Sequence, residues 1–314
     1  MTRTGHCMKI IVTGASGFIG SALVRSMVSM GHSVIAIVHS EKSDIRQLNK
    51  SGAEVIYCNT QEIRSLGEKI SGPVDSCVHL AWVGSYGFEK SDYEVQIGNV
   101  RDTLELIETL SSMGVKKLVC SGTIAEKEVI RNFGTGSKNL PSNYYAVAKV
   151  AAHMMSEILC GKKGIGLNWC YISNAYGPGD RSTNFINSAV TKMLSGERTS
   201  FSSGNQLYDF TYIDDVVNAI AGILSDGVPG KTYYVGSSKC RLLKDYIKVI
   251  RDSIDPDISL HFGEVPSSDS SLDTQDYDIS ELSKDTGYEP VVPFEKGILK
   301  TIDALKDKLG RMDG

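Results

Sequence analysis

The chain has 314 residues, of which 41% are hydrophobic and 22% charged, and its formal net charge is -4. That length buries a large core in one domain or in a large domain with a smaller lobe; the mildly acidic balance offers no basic footprint for nucleic acid and no charge run for a membrane surface. No apolar run reaches the roughly eighteen residues that span a bilayer, no signal-peptide core precedes Met8, and seven scattered cysteines lack any C-x-x-C pair, so the chain reads as cytoplasmic, with reduced core thiols and no metal site.

In chain order, short apolar runs alternate with helix-length amphipathic segments. "KIIVTG" from Lys9 is followed by "SALVRSMVSMG", "SVIAIV", "DIRQLNKSG" and "EVIYCN". Next come "SCVHLAW", the helix "NVRDTLELIETLSSMG", "KKLVCSG", the helix "YYAVAKVAAHMMSEILCG" and "GLNWCYIS". Strands that are apolar throughout are buried on both faces, and strands separated by helices pair in parallel. The fold class expected is therefore α/β, a doubly wound Rossmann parallel sheet. After "NAYGPG" the alternation loosens into "FINSAVTKMLSGE", "YDFTYI", "DDVVNAIAGILSDG" and "KTYYVG". This predicts a dinucleotide-binding domain over 8–175 with parts of 205–235, and a smaller α/β substrate lobe, discontinuous, over 176–310. The polar "VPSSDSSLDTQD", 265–276, reads as a mobile surface loop.

Gly14, Gly17 and Gly20 occupy the turn between the first strand, ending at Thr13, and a helix beginning near Phe18. Absent side chains tighten such a turn and let backbone N–H groups reach a pyrophosphate, while the helix N-terminus supplies partial positive charge. The second strand ends at Val38 and His39, where NAD-selective proteins place an acid for the adenosine ribose. Ser40, Lys42 and Arg46 follow, partly offset by Glu41 and Asp44. NADP is accordingly expected in preference to NAD.

Reduction of a carbonyl leaves negative charge on oxygen, so the site needs a proton donor and a group to hold that oxygen. A tyrosine serves when a lysine one helical turn away favours its phenolate. Tyr-x-x-x-Lys occurs twice. Tyr86 and Lys90 fall in a Gly-containing loop, where helical spacing has no meaning, whereas Tyr145 and Lys149 fall in an Ala-rich helix. Thr123, at the expected carboxyl end of the fifth strand, offers a hydroxyl for the substrate oxygen. Tyr144 reads as a packing neighbour.

These residues resemble the extended branch of the short-chain dehydrogenase/reductase family, the NAD(P)-dependent epimerase/dehydratase group that modifies nucleotide sugars. "TGASGFIG", "VHLAW", "SGTIAE", "YYAVAK", "NAYGPGD", "DFTYIDDVV" and "TGYEPVVPFEKGI" occur in the family's order along nearly the whole chain. The resemblance implies that Gly14, Gly17, Phe18, Ile19 and Gly20 hold the cofactor diphosphate, with His39 and Ser40 near the adenosine ribose and Asn59 near adenine. It also implies that Leu80, Ala81 and Trp82 lie beside the nicotinamide ribose, and that Thr123, Tyr145 and Lys149 form a catalytic trio in which Tyr145 and Lys149 also touch cofactor. Tyr171 and Ser173 would close on the nicotinamide; Ser85, Thr123, Asn174, Arg181 and Tyr208 would meet substrate.

Two departures shape the functional expectation. The family commonly carries an Arg before "DF" for the nucleotide diphosphate, and Tyr208 stands there; Arg181 or Lys192 is left to compensate. Its dehydratases carry an Asp-Glu pair directly after the threonine, where this chain has Ile124 and Ala125, so elimination is not expected. The reading is thus an NADPH-dependent reductase of a nucleoside-diphosphate 4-keto-6-deoxyhexose, with an NAD-dependent 4-epimerase as the alternative. A non-catalytic NADP-binding sensor or scaffold is the alternative of another class. By the same resemblance, the helices 99–114 and 144–160 would pair with a second copy in a homodimer.

Overall fold

A computed structural model describes residues 7–134, 143–266 and 272–310. Six strands run β1 Lys9–Thr13, β2 Ser33–Val38, β3 Glu54–Tyr57, β4 Ser76–His79, β5 Lys117–Thr123 and β6 Gly166–Ile172. Between them lie α1 Phe18–Ser29, the single-turn α2 Arg46–Asn49 and α3 Leu66–Lys69, then α4 Tyr93–Ser112, α5 Ala125–Gly134 and α6 Tyr144–Lys163. With Thr232–Val235 they form a seven-stranded sheet in the order Thr232–Val235, β6, β5, β4, β1, β2, β3. Every pairing in it is parallel. The order reverses direction beside β1, which opens a crevice at the carboxyl ends of β1 and β4.

Strand residues alternate between faces, so β1 feeds two cores. Ile10 and Val12 pack with Leu23 and Val24 of α1 and with the helix Ile213–Asp226, whereas Ile11 packs with Leu106, Ile107 and Leu110 of α4. Both faces are dry, which is why these strands read as apolar throughout.

Outside that sheet, the described residues hold three two-stranded ladders, one of them Asn174–Tyr176 parallel to Phe210–Tyr212. "NAYGPG" therefore opens as a strand. Tyr176, Phe210, Tyr246 and Phe294 meet there edge-on and tilted, with centroids 4.6 to 6.4 Å apart. Such contacts join these elements through aromatic area. Asp215 is buried and accepts from the backbone N–H groups of Val291 and Val292 at 3.0 Å each, so one acid of "DDVV" ties down a loop.

Two expectations are corrected. The stretch 265–276 is not loose throughout: Thr274–Tyr277 is a 3-10 turn with a capping box between Asp273 and Asp276, and Arg131 bonds Asp276 at 2.6 Å. Residues 267–271 of that stretch lie outside the described residues, as does most of the leader before Met8. "DIRQLNKSG" yields only the single turn α2. The charged segment after Thr123 forms α5, which strand-and-helix patterning passed over.

Candidate functional site

The cleft is built first by backbone. Gly14 has φ of +66°, a left-handed conformation that favours glycine, and a Cβ there would sit 2.7 Å from the Ala81 nitrogen. At Gly20 an added Cβ would lie 2.1 Å from the Gly14 oxygen, so its absence lets α1 pack against its own entry turn. Gly17 is the N-cap of α1, and no side chain bonds the helix end. The first-turn N–H groups are thus left to an incoming anion.

A buried polar network fixes the facing loop. Thr13 Oγ1 accepts from the backbone N–H groups of Leu80 and Ala81 at 3.2 and 3.3 Å, which directs its own hydrogen to His79 Nδ1 at 2.7 Å. His79 Nε2 then donates to Thr103 Oγ1 at 3.1 Å, and Thr103 donates to the Asn99 carbonyl at 2.8 Å. Burial and the neighbouring Lys149 charge pull the His79 pKa down to about 3, so the ring is neutral, as this tautomer requires.

The reacting end lies where β5 meets α6. The Tyr145 phenol and the Thr123 hydroxyl are neighbours. Burial pushes the Tyr145 phenol well above its ordinary value, a rise the Thr123 hydroxyl opposes and Glu126 reinforces. Lys149 is 3% exposed and donates to the Ser121 carbonyl at 2.6 Å. Burial lowers its pKa to about 8, with Glu126 opposing the fall. Its Nζ lies 3.8 Å from the centre of the Trp82 ring, a cation–π contact, and Trp82 meets Tyr145 edge-on. The Trp82 Nε1 donates to Gln96 at 2.9 Å, which holds the indole in that position.

Behind Thr123 lies a carboxyl that sequence patterning missed. Glu126 is fully buried; it accepts from the Thr123 backbone N–H at 2.8 Å and from Trp169 Nε1 at 3.2 Å. His153 stands 3.5 Å from it and stacks on Trp169 with centroids 4.6 Å apart. Gly122 makes this possible, because a Cβ there would meet Trp169 Nε1 at 2.1 Å.

Cleft volume is about 910 Å³. Gly14, Gly17, Phe18, Ile19, Gly20, His39, Leu80, Ala81, Trp82, Ser85, Asn174 and Arg181 line it, as expected of them. So do Thr13, His79, Lys90, Ser121, 179–180 and 182–185, which the sequence reading did not assign. Thr123, Tyr145 and Lys149 do not line the cleft themselves; Tyr145 and Lys149 lie behind Trp82, Lys90 and Ser121, which do. A long crevice with a glycine turn at one end and this layer at the other fits a nicotinamide dinucleotide. Gly14 and Gly17 would hold its diphosphate and Lys149 its nicotinamide ribose.

Other expected residues sit apart from this wall. The Asn59 side chain caps a 3-10 turn, accepting from the Glu62 N–H at 3.1 Å, while Cys58 and Ile63 beside it face the cleft. Tyr171 reaches His153 at 3.4 Å, and Ser173 bonds Thr211 at 2.5 Å. Ser40 receives the Lys42 N–H in a surface turn. Tyr208 stacks on Phe210, centroids 5.5 Å apart. Arg181 lines the cleft but bonds Asp44 at 2.8 Å, in the loop after β2, and Asp44 also holds Arg46 at 2.7 Å. Tyr144 is exposed, edge-on to Tyr93. No cluster of metal-ligating side chains occurs among the described residues, and no described helix is long and apolar enough to cross a membrane.

Comparison with known proteins agrees with this geometry. CDP-abequose synthase of Salmonella typhimurium is 27% identical over 312 residues, covering 94% of this chain and 98% of that one. The dTDP-6-deoxy-L-talose 4-dehydrogenase (NAD(+)) of Aggregatibacter actinomycetemcomitans is 28% identical over 220 residues, 67% of this chain and 77% of its own. Among solved structures, UDP-glucose 4-epimerase of Thermotoga maritima with UDP-glucose superposes with a TM-score of 0.82 at 23% identity, covering 96% of this chain and 100% of that chain. WbmF of Bordetella bronchiseptica in complex with NAD+ and UDP gives 0.80 at 22%, covering 98% and 94%. The model of the NAD dependent epimerase/dehydratase family matches residues 10–236, and with the glycine turn, the Thr123–Tyr145 pair and the buried Lys149 it makes this chain a member of that family of nucleotide-sugar enzymes.

Proposed function

We propose that the protein reduces the C4 carbonyl of a nucleoside-diphosphate 4-keto-6-deoxyhexose to an alcohol. A bound nicotinamide dinucleotide supplies the hydride to carbon. Tyr145 gives its hydroxyl proton to the oxygen, so hydride and proton together complete the alcohol. Thr123, beside that phenol, would hold the same oxygen, and Lys149, one turn along the same helix, would keep a positive charge toward the phenolate left behind.

The observation that carries this reading is the contrast between two kinds of acid near Thr123. Its hydroxyl meets a phenol, whereas the nearest carboxyl along the chain, Glu126, is turned into the core and occupied by Thr123 and Trp169. An elimination needs an acid and a base facing the sugar, and Ile124 and Ala125 supply neither. NADPH is the reductant proposed, because Val38 and His39 end β2 without an acid and Lys42, Arg46 and Arg181 gather beyond it. All seven cysteines are free, and burial raises the thiols of six of them, in keeping with a cytoplasmic enzyme. Exposed Tyr93, Ile97, Val147, Met154 and Ile158 on α4 and α6 support a homodimer built on those helices.

The test is loss of reduced-nicotinamide absorbance with CDP-, dTDP- or UDP-linked 4-keto-6-deoxyhexoses, run with NADPH and NADH in parallel. Consumption of NADPH matched by 6-deoxysugar product supports the reading. Interconversion of sugar epimers by tightly held NAD, with no net consumption, would replace it with a 4-epimerase.

A further inference from the structure

Lys90, half of the Tyr-x-x-x-Lys match that lies in a loop, is brought by the fold to the other match. Its Nζ stands 5.0 Å from the centre of the Tyr145 ring, and it lines the cleft. The loop that carries it is tied down at several points. Gln96 Nε2 donates to the carbonyls of Gly84 and Glu89 at 2.9 and 3.0 Å, Asn99 Nδ2 donates to Val83 at 2.8 Å, and Asp92 caps α4 directly after it. Gln96 is fully buried, so these bonds are made inside the protein rather than on its surface.

The charge on Lys90 is not compensated. It forms no ion pair among the described residues, and burial lowers its pKa. Asp102 and Asp180 also line the cleft, yet Asp102 is met by Arg101, and Asp180 accepts from the Ser182 N–H and from Asn184. The only other Lys or Arg among the lining residues, Arg181, is committed to Asp44. Tyr208 brings no charge, and Lys192 does not line the cleft. A partly desolvated ammonium facing a ligand space gains most from an anionic partner.

We propose that Lys90 is a substrate-binding residue whose ammonium takes the diphosphate of the nucleotide sugar beside the Tyr145 ring. This rests on the nucleotide-sugar reading above and adds to it the cation that replaces the missing Arg before "DF". With the diphosphate held there, the hexose is confined next to the phenol that protonates it.

The experiment is calorimetric titration of UDP, CDP and dTDP into the cofactor-loaded wild type, Lys90→Met and Lys90→Arg, at low and high salt, with cofactor affinity measured separately. For whichever diphosphate the wild type binds, Lys90→Met should weaken binding by about tenfold or more and flatten its salt dependence, the scale of one charge-assisted bond. Lys90→Arg should retain most of the affinity, and cofactor affinity should stay unchanged in both. Equal diphosphate affinity in Lys90→Met and wild type overturns the proposal while leaving the nucleotide-sugar reading intact. So does unchanged affinity with a displaced pH–rate profile, which would make Lys90 a tuner of the phenol. If the wild type binds none of the three, the nucleotide-sugar reading falls and this one with it.

Discussion

The two walls of the cleft are made differently. The sheet wall, at the carboxyl ends of β1, β4 and β5, is held by buried contacts: Thr13 to His79 to Thr103, Glu126 to Thr123 and Trp169, Lys149 to Ser121. The facing wall is drawn from Asn174 to Phe185, and the ion pair that ties it to the loop after β2 is exposed: the Arg181 side chain is 59% accessible. Buried polar bonds are strong and costly to leave unmade, whereas exposed ion pairs contribute little. The proposed chemistry therefore falls beside the wall fixed by buried bonds, and the wall held by an exposed ion pair is the cheaper one to alter.

The sharpest way to break that contrast is at the phenol. Tyr145→Phe removes one oxygen from the sheet wall and should lower turnover by roughly a hundred- to ten-thousand-fold, because the proton donor is lost. Cofactor affinity, measured by quenching of protein fluorescence, should hardly change. A variant that turned over at the wild-type rate would remove Tyr145 from the mechanism and revive a non-catalytic reading.

Lys149 separates function from stability on the same wall. Its ammonium is buried, and that burial brings its pKa down to about 8. Reduction should hold steady below that value and fall about tenfold per pH unit above it, as the charge near the phenolate is lost. Lys149→Met should be inactive yet melt no lower than the wild type, because it removes a desolvated charge and leaves a side chain that fills the space. A lower melting temperature would mean that the ammonium stabilises the fold as well as serving the site.

Glu126 tests the wall's second layer. Glu126→Ala leaves the Thr123 N–H and Trp169 Nε1 without their acceptor, at about 1 to 3 kcal/mol each. Chemical denaturation should show that loss, and turnover should fall because the end of β5 no longer fixes the Thr123 hydroxyl. Glu126→Gln keeps an acceptor oxygen and should recover part of both. If Glu126→Ala matched the wild type in stability, Thr123 would be held by something else.

Legibility in the sequence follows the same division. The glycine turn could be read because Gly14, Gly17 and Gly20 act through neighbouring backbone, and Tyr145 with Lys149 because one helical turn relates them. Glu126 could not be read, since its partners are Trp169, 43 residues on, and a backbone N–H, and its neighbours in "AEKE" look like a solvated charge run. Gly122 was the available signal: a glycine inside a strand pattern marks a close approach. Loop spacing hides Lys90, because the rule concerns one helix and says nothing of a lysine arriving from elsewhere in the chain. Tyr208, Ser173 and Tyr171 carry over from family motifs, but here stacking on Phe210 and bonds to Thr211 and His153 engage them.

The smallest effect should come from the facing wall. Asp44 holds both Arg46 and Arg181, and those guanidiniums keep its carboxyl far below the usual range. Asp44→Asn should cost almost no stability, since both arginine side chains reach solvent. It should nevertheless free two guanidiniums beside the ribose end of the cleft, where they would meet the 2'-phosphate of NADP and find no such group on NAD. Affinity for NADP should therefore rise a few-fold while that for NAD stays level, and the gain should shrink as salt is added. Equal shifts for the two cofactors would show that the ion pair closes the cleft mechanically and does not discriminate between them, placing the choice of cofactor on His39 and the end of β2.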